Sequence, residues 1–215
     1  MPKKIALLAG GCRVEIPQDF DAYVGIDRAC LWLLEQGLPL DLAIGDFDSV
    51  TDRELQQIGQ QASQLIQASS QKNDTDTELA LKTVLDLYPQ AQLTIFGAFG
   101  GRLDHALSNV FLPSDPEIAP FMKQISLVDE QNVIDYLPAG RHQISAIPGM
   151  TYVSFMTEGA TNLTIKGAKY ELTSGNYFQK KIYSIHEFSN QSIEVSLNQG
   201  YLVVIQSKDK TWASF

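Results

Sequence analysis

From Lys4 to about Glu130, short apolar runs alternate with longer segments of helical period, the pattern left by a parallel sheet flanked by helices. The runs cover residues 5–10, 23–26, 42–44, 64–66, 93–96 and 125–128. Helices are predicted between them. One spans 28–36 and stops at Gly37, with Pro39 beyond. Thr51-x-x-Glu54 has the spacing of a capping box, and Thr75-x-x-Glu78 repeats it before a helix over 79–88. A further helix is predicted from near Arg102 to before Pro113, and a short one over 117–123.

After about Gln131 the texture changes to strand-length runs broken by turn residues. Pro138-Ala139-Gly140, Pro148-Gly149, Glu158-Gly159, Lys166-Gly167, Ser174-Gly175-Asn176 and Asn198-Gln199-Gly200 mark breaks about ten residues apart, as in a sandwich or barrel. The expected architecture is therefore an α/β domain over 1–131, with a Rossmann-like, mostly parallel sheet and flanking helices. An all-β sandwich domain over 132–215 follows. No repeat or long linker separates them.

At 215 residues and 44% apolar content, each domain can bury its own core. No apolar run approaches the roughly 20 residues of a membrane span, and Met1-Pro2-Lys3-Lys4 does not open a secretory signal, so a cytoplasmic protein is expected. Cys12 and Cys30 lack metal-ligand spacing and are read as buried thiols. A net charge of −9 argues against a nucleic-acid backbone as partner. It leaves room for small phosphates, which acidic enzymes handle through carboxylates gathered around a divalent cation.

Such carboxylates occur in Gly45-Asp46-Phe47-Asp48-Ser49, directly after a predicted strand. Ligands of open α/β sheets bind at that strand edge. If extended geometry continues, Asp46 and Asp48 project to one side and suit Mg²⁺. Lys72-Asn73-Asp74-Thr75-Asp76-Thr77 reaches the same edge, with Asp76 expected at the metal and Asp74 as a helix cap. Gly97-Ala98-Phe99-Gly100-Gly101-Arg102-Leu103-Asp104-His105 is a strand, glycine loop and helix start, a candidate phosphate cradle with Arg102 as its cation. Asp104 either holds Arg102, accepts from ribose or base, or joins the cation; His105 serves packing, hydrogen bonding or catalysis. The Walker pattern is absent, and Ala9-Gly10-Gly11 fails the dinucleotide spacing. Asp27, in Gly25-Ile26-Asp27-Arg28, is either a fourth crevice acid or a cap.

Taken in order, Gly45-Asp46-Phe47-Asp48-Ser49, Thr75-Asp76 and Gly100-Gly101-Arg102-Leu103-Asp104-His105 resemble the signature of the thiamin pyrophosphokinases. The resemblance extends into the β half through Leu163-Thr164-Ile165-Lys166-Gly167 and Gly200-Tyr201-Leu202, which look like that family's thiamin-binding domain. It implies transfer of pyrophosphate from ATP to the thiamin hydroxyl, with release of AMP. Mg²⁺ would be held by Asp46, Asp48 and Asp76. Thr75, Gly100, Gly101, Arg102, Asp104 and His105 would bind ATP, and Asp27 or Asp48 would orient or deprotonate the hydroxyl. It also implies a homodimer with active sites shared between subunits. Where the family carries Ser-Asn-Glu-Phe, this chain has Ile185-His186-Glu187-Phe188. The expected thiamin contacts become Ser184, His186 and Trp212, with Tyr183 and Phe188 as aromatic alternatives. The competing functions are a pyrophosphokinase of the same fold acting on a pterin or nucleoside, and a non-catalytic nucleotide or thiamin-diphosphate sensor.

Overall fold

Short runs rich in Ile, Leu and Val, each followed by glycine or a capping residue, become strands because they present apolar side chains on both faces of the pleat. A computed structural model describes residues 1–69, 73–158, 162–188 and 192–210. The chain divides into two units, residues 1–129 and 130–215.

The first unit comprises β1 (Lys4–Leu8), β2 (Ala22–Ile26), α1 (Ala29–Glu35), β3 (Leu40–Gly45), α2 (Asp52–Gln61), β4 (Ala62–Gln67), α3 (Asp76–Leu87), β5 (Gln92–Phe96), α4 (Leu103–Val110) and β6 (Ile125–Val128). Its strands pair in parallel in the order β4-β3-β2-β1-β5-β6. Strands are added on one side of β1 up to β4; the chain then crosses back through α3 to place β5 and β6 on the other. The loops after β1 and β5 therefore diverge at one edge, the topological switch point where such sheets bind ligands. In central β1, Ile5, Leu7 and Leu8 are all fully buried. β4, at the sheet margin, exposes Ser63, Gln64 and Gln67, as an edge strand should.

Both capping boxes form: Thr51 and Thr75 each accept from the backbone N–H three residues on, while Glu54 and Glu78 return to the cap N–H. In α3, Thr77, Ala80, Leu81, Val84 and Leu85 make the buried stripe that seats the helix. The predicted helix over 117–123 is instead a 3-10 turn, Ala119–Gln124, and a second such turn, Leu112–Ser114, follows α4. Pro113 and Pro120 lie in their first turns, where a missing N–H is tolerated; an α-helix through Pro120 would lose a hydrogen bond and clash.

The second unit holds β7 (Asn132–Ser145), β8 (Tyr152–Thr157), β9 (Thr164–Lys166), β10 (Ile182–Glu187) and β11 (Ser192–Ser207). β11 pairs antiparallel with β7 along both halves, with β9 in its first half and with β8 in its second. Two of the predicted breaks, Pro138-Ala139-Gly140 and Asn198-Gln199-Gly200, do not end strands. They lie opposite one another where the β7–β11 register shifts, between Leu197 and Tyr201, with Gly140 and Gly200 at positive φ. Ile193, Val195 and Leu197 before the irregularity and Leu202 and Val204 after it enter one core with Val153, Phe155 and Ile165. The expected sandwich is thus built on two long strands that serve both of its halves.

Leu81 is fully buried in the α3 stripe. Leu81→Ala should destabilise the first unit by about 2–5 kcal/mol through lost burial and the cavity left behind. Denaturant unfolding followed by circular dichroism measures the effect, and a change below about 0.5 kcal/mol would contradict the packing described.

Candidate active site

At the carboxyl edge of the first unit's sheet, Asp27 directly follows β2, Asp46 directly follows β3, and α3 begins with Asp76. One carboxylate oxygen from each of Asp27, Asp46 and Asp76 lies within 4.8 Å of the other two, and all three residues are half-buried. Local geometry enforces this approach. Asp27 adopts a left-handed φ of 50°, its N–H donates to the Ile44 carbonyl at 2.9 Å, and its Oδ1 accepts the Phe47 N–H at 2.9 Å. Gly45 is required beside it, since a Cβ there would collide with the Asp27 carboxylate. Burial pushes the Asp27 carboxyl up to about 7; the Phe47 N–H opposes the shift, while the Asp76 and Asp46 charges add to it. Three hard oxygen donors with this mutual repulsion fit a divalent cation such as Mg²⁺.

Asp48 is not part of the trio. The expected sharing of one face with Asp46 fails because Phe47, buried at 4% exposure, turns into the left-handed region at φ 60° and breaks the strand alternation. Asp48 is exposed, and its N–H donates to Asp46 Oδ1 at 3.1 Å. Asp27 does not cap α1; Arg28 holds the cap position without a side-chain bond. Asp74 does not cap α3 either, because Thr75 does. The Asp74 carboxylate instead pairs with Lys82 at 3.1 Å, which also holds Asp115 at 2.8 Å and Glu117 at 2.9 Å. Burial works against the Lys82 charge, but these carboxylates outweigh it and raise its pKa.

The glycines of the two diverging loops have distinct tasks. Ala9 N–H donates to the Phe96 carbonyl at 2.8 Å and Gly11 N–H to that of Gly97 at 2.9 Å, so the loops after β1 and β5 lie backbone against backbone. A Cβ on Gly11, Gly97 or Gly100 would strike the opposite loop, whereas a Cβ on Gly10 or Gly101 would meet nothing within 4 Å. Gly10 and Gly101 therefore leave space for a ligand. Buried Asn109 of α4 fixes this arrangement by donating to the Ala98 carbonyl at 2.8 Å.

These parts surround a crevice of about 440 Å³ lined by Asp27, Asp76 and Thr75, by Gly10, Gly11, Gly100 and Gly101, and by Arg28, Trp32, Ser49, Arg102, His105 and Asn109. Its size lies within the range of small-molecule sites. The exposed Arg102 guanidinium forks onto Asp104 at 3.1 and 2.6 Å, which holds the Asp104 carboxyl down at about 2. Asp104 also accepts the His105 N–H at 3.1 Å. Gly10 and Gly11, which fail the dinucleotide spacing, line the crevice all the same, as do Trp32 and Asn109, which no sequence motif marks. The glycine pair was legible as the loop after the central strand, but Trp32 and Asn109 look like ordinary helix residues.

Within the second unit, Ser184 lines a cavity of about 380 Å³ with Tyr170, Glu171, Leu172, Phe178, Lys180 and Tyr183. Tyr183 is a core residue, buried at 4% exposure, whose hydroxyl donates to the Phe178 carbonyl at 2.8 Å. Phe188 packs against the same core. The Ile185 and His186 side chains and all of Trp212 lie outside the described residues. Cys30 is fully buried, with its thiol pushed up to about 12 by burial and the Asp27 charge; Cys12 is half-buried.

Residues 15–118 match the family model described as thiamin pyrophosphokinase, catalytic domain, and residues 141–202 that described as thiamin pyrophosphokinase, vitamin B1 binding domain. A curated thiamine pyrophosphokinase of Bacillus subtilis (strain 168) is 32% identical over 216 residues, covering 96% of this chain and 100% of that protein. The crystal structure of a thiamin pyrophosphokinase family protein from Enterococcus faecalis superposes with a TM-score of 0.89 at 41% identity, covering 96% of this chain and 100% of that one. The crystal structure of thiamine pyrophosphokinase from Bacillus subtilis gives 0.76 at 31% identity, with 97% and 100% coverage.

Folded Asp27 keeps its proton up to about pH 7, whereas the unfolded carboxyl loses it near 3.8. Its contribution to stability is therefore present in full below about pH 3.8 and is lost as pH rises through about 7. In chelator, the thermal midpoint of the wild type relative to Asp27→Asn should decline across this window, and Mg²⁺ should restore it at the upper end. A difference independent of pH would remove Asp27 as a titrating crevice group.

Proposed function

The chain belongs to the thiamin pyrophosphokinase family of kinase-type transferases, and from that premise we propose that it transfers pyrophosphate from magnesium-bound ATP to the thiamin hydroxyl, giving thiamin diphosphate and AMP. The observation that carries this reading is the convergence of the Asp27, Asp46 and Asp76 carboxylates, two of which, Asp27 and Asp76, line a crevice that also presents Gly10, Gly101 and Arg102. It is an acidic metal site beside an anion cradle, which is what a magnesium nucleotide requires.

Asp27, Asp46 and Asp76 would hold Mg²⁺, which when bound offsets charge on the phosphate oxygens and on the leaving group. Arg102 would exchange Asp104 for phosphate, a planar fork meeting a tetrahedral anion. Little opposes that exchange, because an exposed ion pair contributes little stability. Thr75 Oγ1 accepts from the Glu78 N–H and keeps its own proton to donate to a phosphate oxygen. His105, exposed on the crevice wall, adds a second donor next to Arg102. Asp48 lies outside the carboxylate trio and is assigned to the acceptor side, where it would orient or deprotonate the thiamin hydroxyl.

For the acceptor we assign the second unit's cavity at Ser184. Tyr170 and Phe178 there are largely exposed and already carry lysine ammonium groups over their rings, Lys169 at 5.8 Å and Lys180 at 5.4 Å. Rings that attract cations, together with Glu171, suit a cationic thiazolium joined to an aromatic pyrimidine. A homodimer is supported by exposed Leu103 and Leu107, one turn apart on α4, which a partner subunit would cover. Use of ATP as donor assigns the reaction to the cytoplasm. Among the described residues no helix is long and apolar enough to cross a membrane.

Incubation with Mg-ATP and thiamin, followed by ion-exchange separation, should yield thiamin diphosphate and AMP in equal amounts. ADP with thiamin monophosphate would overturn the pyrophosphate assignment. Asp76→Asn should lower kcat at least about 100-fold and weaken Mn²⁺ binding in parallel. Asp48→Asn should lower kcat by a similar factor, on the order of 100-fold for a lost acid–base group, yet leave Mn²⁺ affinity within about twofold. Equal loss of metal affinity in both variants would return Asp48 to the metal shell.

A further inference from the structure

The roles assigned above account for the phosphates and the metal but leave the base of the nucleotide without a contact. Trp32 lies on α1, one helical turn beyond Arg28, and lines the crevice with Ile26, Asp27 and Ser49. It is half-buried and packs against the first unit's hydrophobic core. The Arg13 guanidinium stands over its ring, 5.4 Å from the centroid, and is itself paired with Glu35 of the same helix at 2.9 Å. Ring, cation and carboxylate thus brace one another. The indole N–H has no hydrogen-bond partner among the described residues. Trp32 is one of the residues that line the crevice.

The strand order places this side chain relative to the anion cradle. Gly10 follows β1, and Gly101 and Arg102 follow β5, on the switch-point side of the crevice; Asp27 and Trp32 follow β2 on the other. The alternative aromatic surface, His105, is exposed and adjoins Arg102, within the cradle itself. We infer that Trp32 is the nucleobase contact of the crevice, a braced aromatic platform that stacks on the purine ring of the bound nucleotide. The inference rests on the reading of this crevice as a nucleotide site.

Base–aromatic stacking is strong enough to change affinity about tenfold. Trp32→Leu keeps apolar packing against the core while removing the π-face and the donor. It should raise the KM for ATP about tenfold, with a smaller effect on kcat. The inhibition constant of inorganic tripolyphosphate, which carries phosphates without a base, should stay within about twofold. Trp32→Phe should recover most of the ATP affinity. Mg-ATP should quench tryptophan emission in the wild type and not in Trp32→Leu, and tripolyphosphate should quench neither.

An unchanged KM for ATP in Trp32→Leu overturns the inference. So does a parallel rise in the tripolyphosphate constant, which would mark a packing role. If His105→Ala raises the ATP KM but not the tripolyphosphate constant while Trp32→Leu is silent, the base lies on α4 and the inference again falls. Should Trp32→Leu fail to fold, the Trp32→Phe kinetics and the wild-type quench decide. A wild type that binds neither ATP nor tripolyphosphate removes the nucleotide reading itself, whereas one that binds both with a silent Trp32 removes only this inference.

Discussion

Mutual repulsion among Asp27, Asp46 and Asp76 is the constraint around which the first unit's site is arranged. Carboxylates within 4.8 Å of one another in a half-buried crevice would move apart unless the backbone held them. It does so by an interlock between two strand ends. Asp27 turns left-handed, donates to the β3 carbonyl of Ile44 and accepts from Phe47, and β3 supplies Gly45 where any side chain would collide. Each residue of the interlock looks dispensable alone. Together they hold the three carboxylates in one arrangement, in which a divalent cation would find its oxygens preorganised.

The same logic explains why glycines recur at the switch point. Gly11, Gly97 and Gly100 allow the loops after β1 and β5 to touch, and only Gly10 and Gly101 face open space. A glycine-rich sequence at a ligand edge is thus first a solution for loop packing and second a means of approach for phosphate. Beside it, Arg102 is paired with Asp104 and Arg28 with Glu54, so both arginines that line the crevice are committed to carboxylates of this chain.

Much of the first unit was legible in sequence because its central strands are covered on both faces and read as uninterrupted apolar runs, and because Thr51-Glu54 and Thr75-Glu78 announce their helices. The acids of the crevice were legible as short motifs at strand ends. Illegible were features governed by backbone torsions that no residue type advertises. Phe47, a bulky residue, adopts positive φ only because its side chain is buried and its N–H is taken by Asp27, and this redirects Asp48. In the second unit, Pro138-Ala139-Gly140 and Asn198-Gln199-Gly200 read as chain reversals but sit opposite one another inside a continuous strand pair. Turn chemistry marks where a strand is irregular; neighbouring pairing decides whether it ends.

β11 carries a consequence for synthesis of the protein. The first unit has its last strand, β6, by residue 128, so its parallel sheet can close while the ribosome is still at work on the remainder. The second unit has no such freedom. β7, β8 and β9 all pair with β11, and Ile193, Val195, Leu197, Leu202 and Val204 complete their shared core. Until residue 207 leaves the exit tunnel, those three strands present unpaired edges and an open apolar face. The vulnerable interval in the life of this chain is the stretch of translation between β7 and the end of β11, when a finished α/β domain tows an unfinished sandwich.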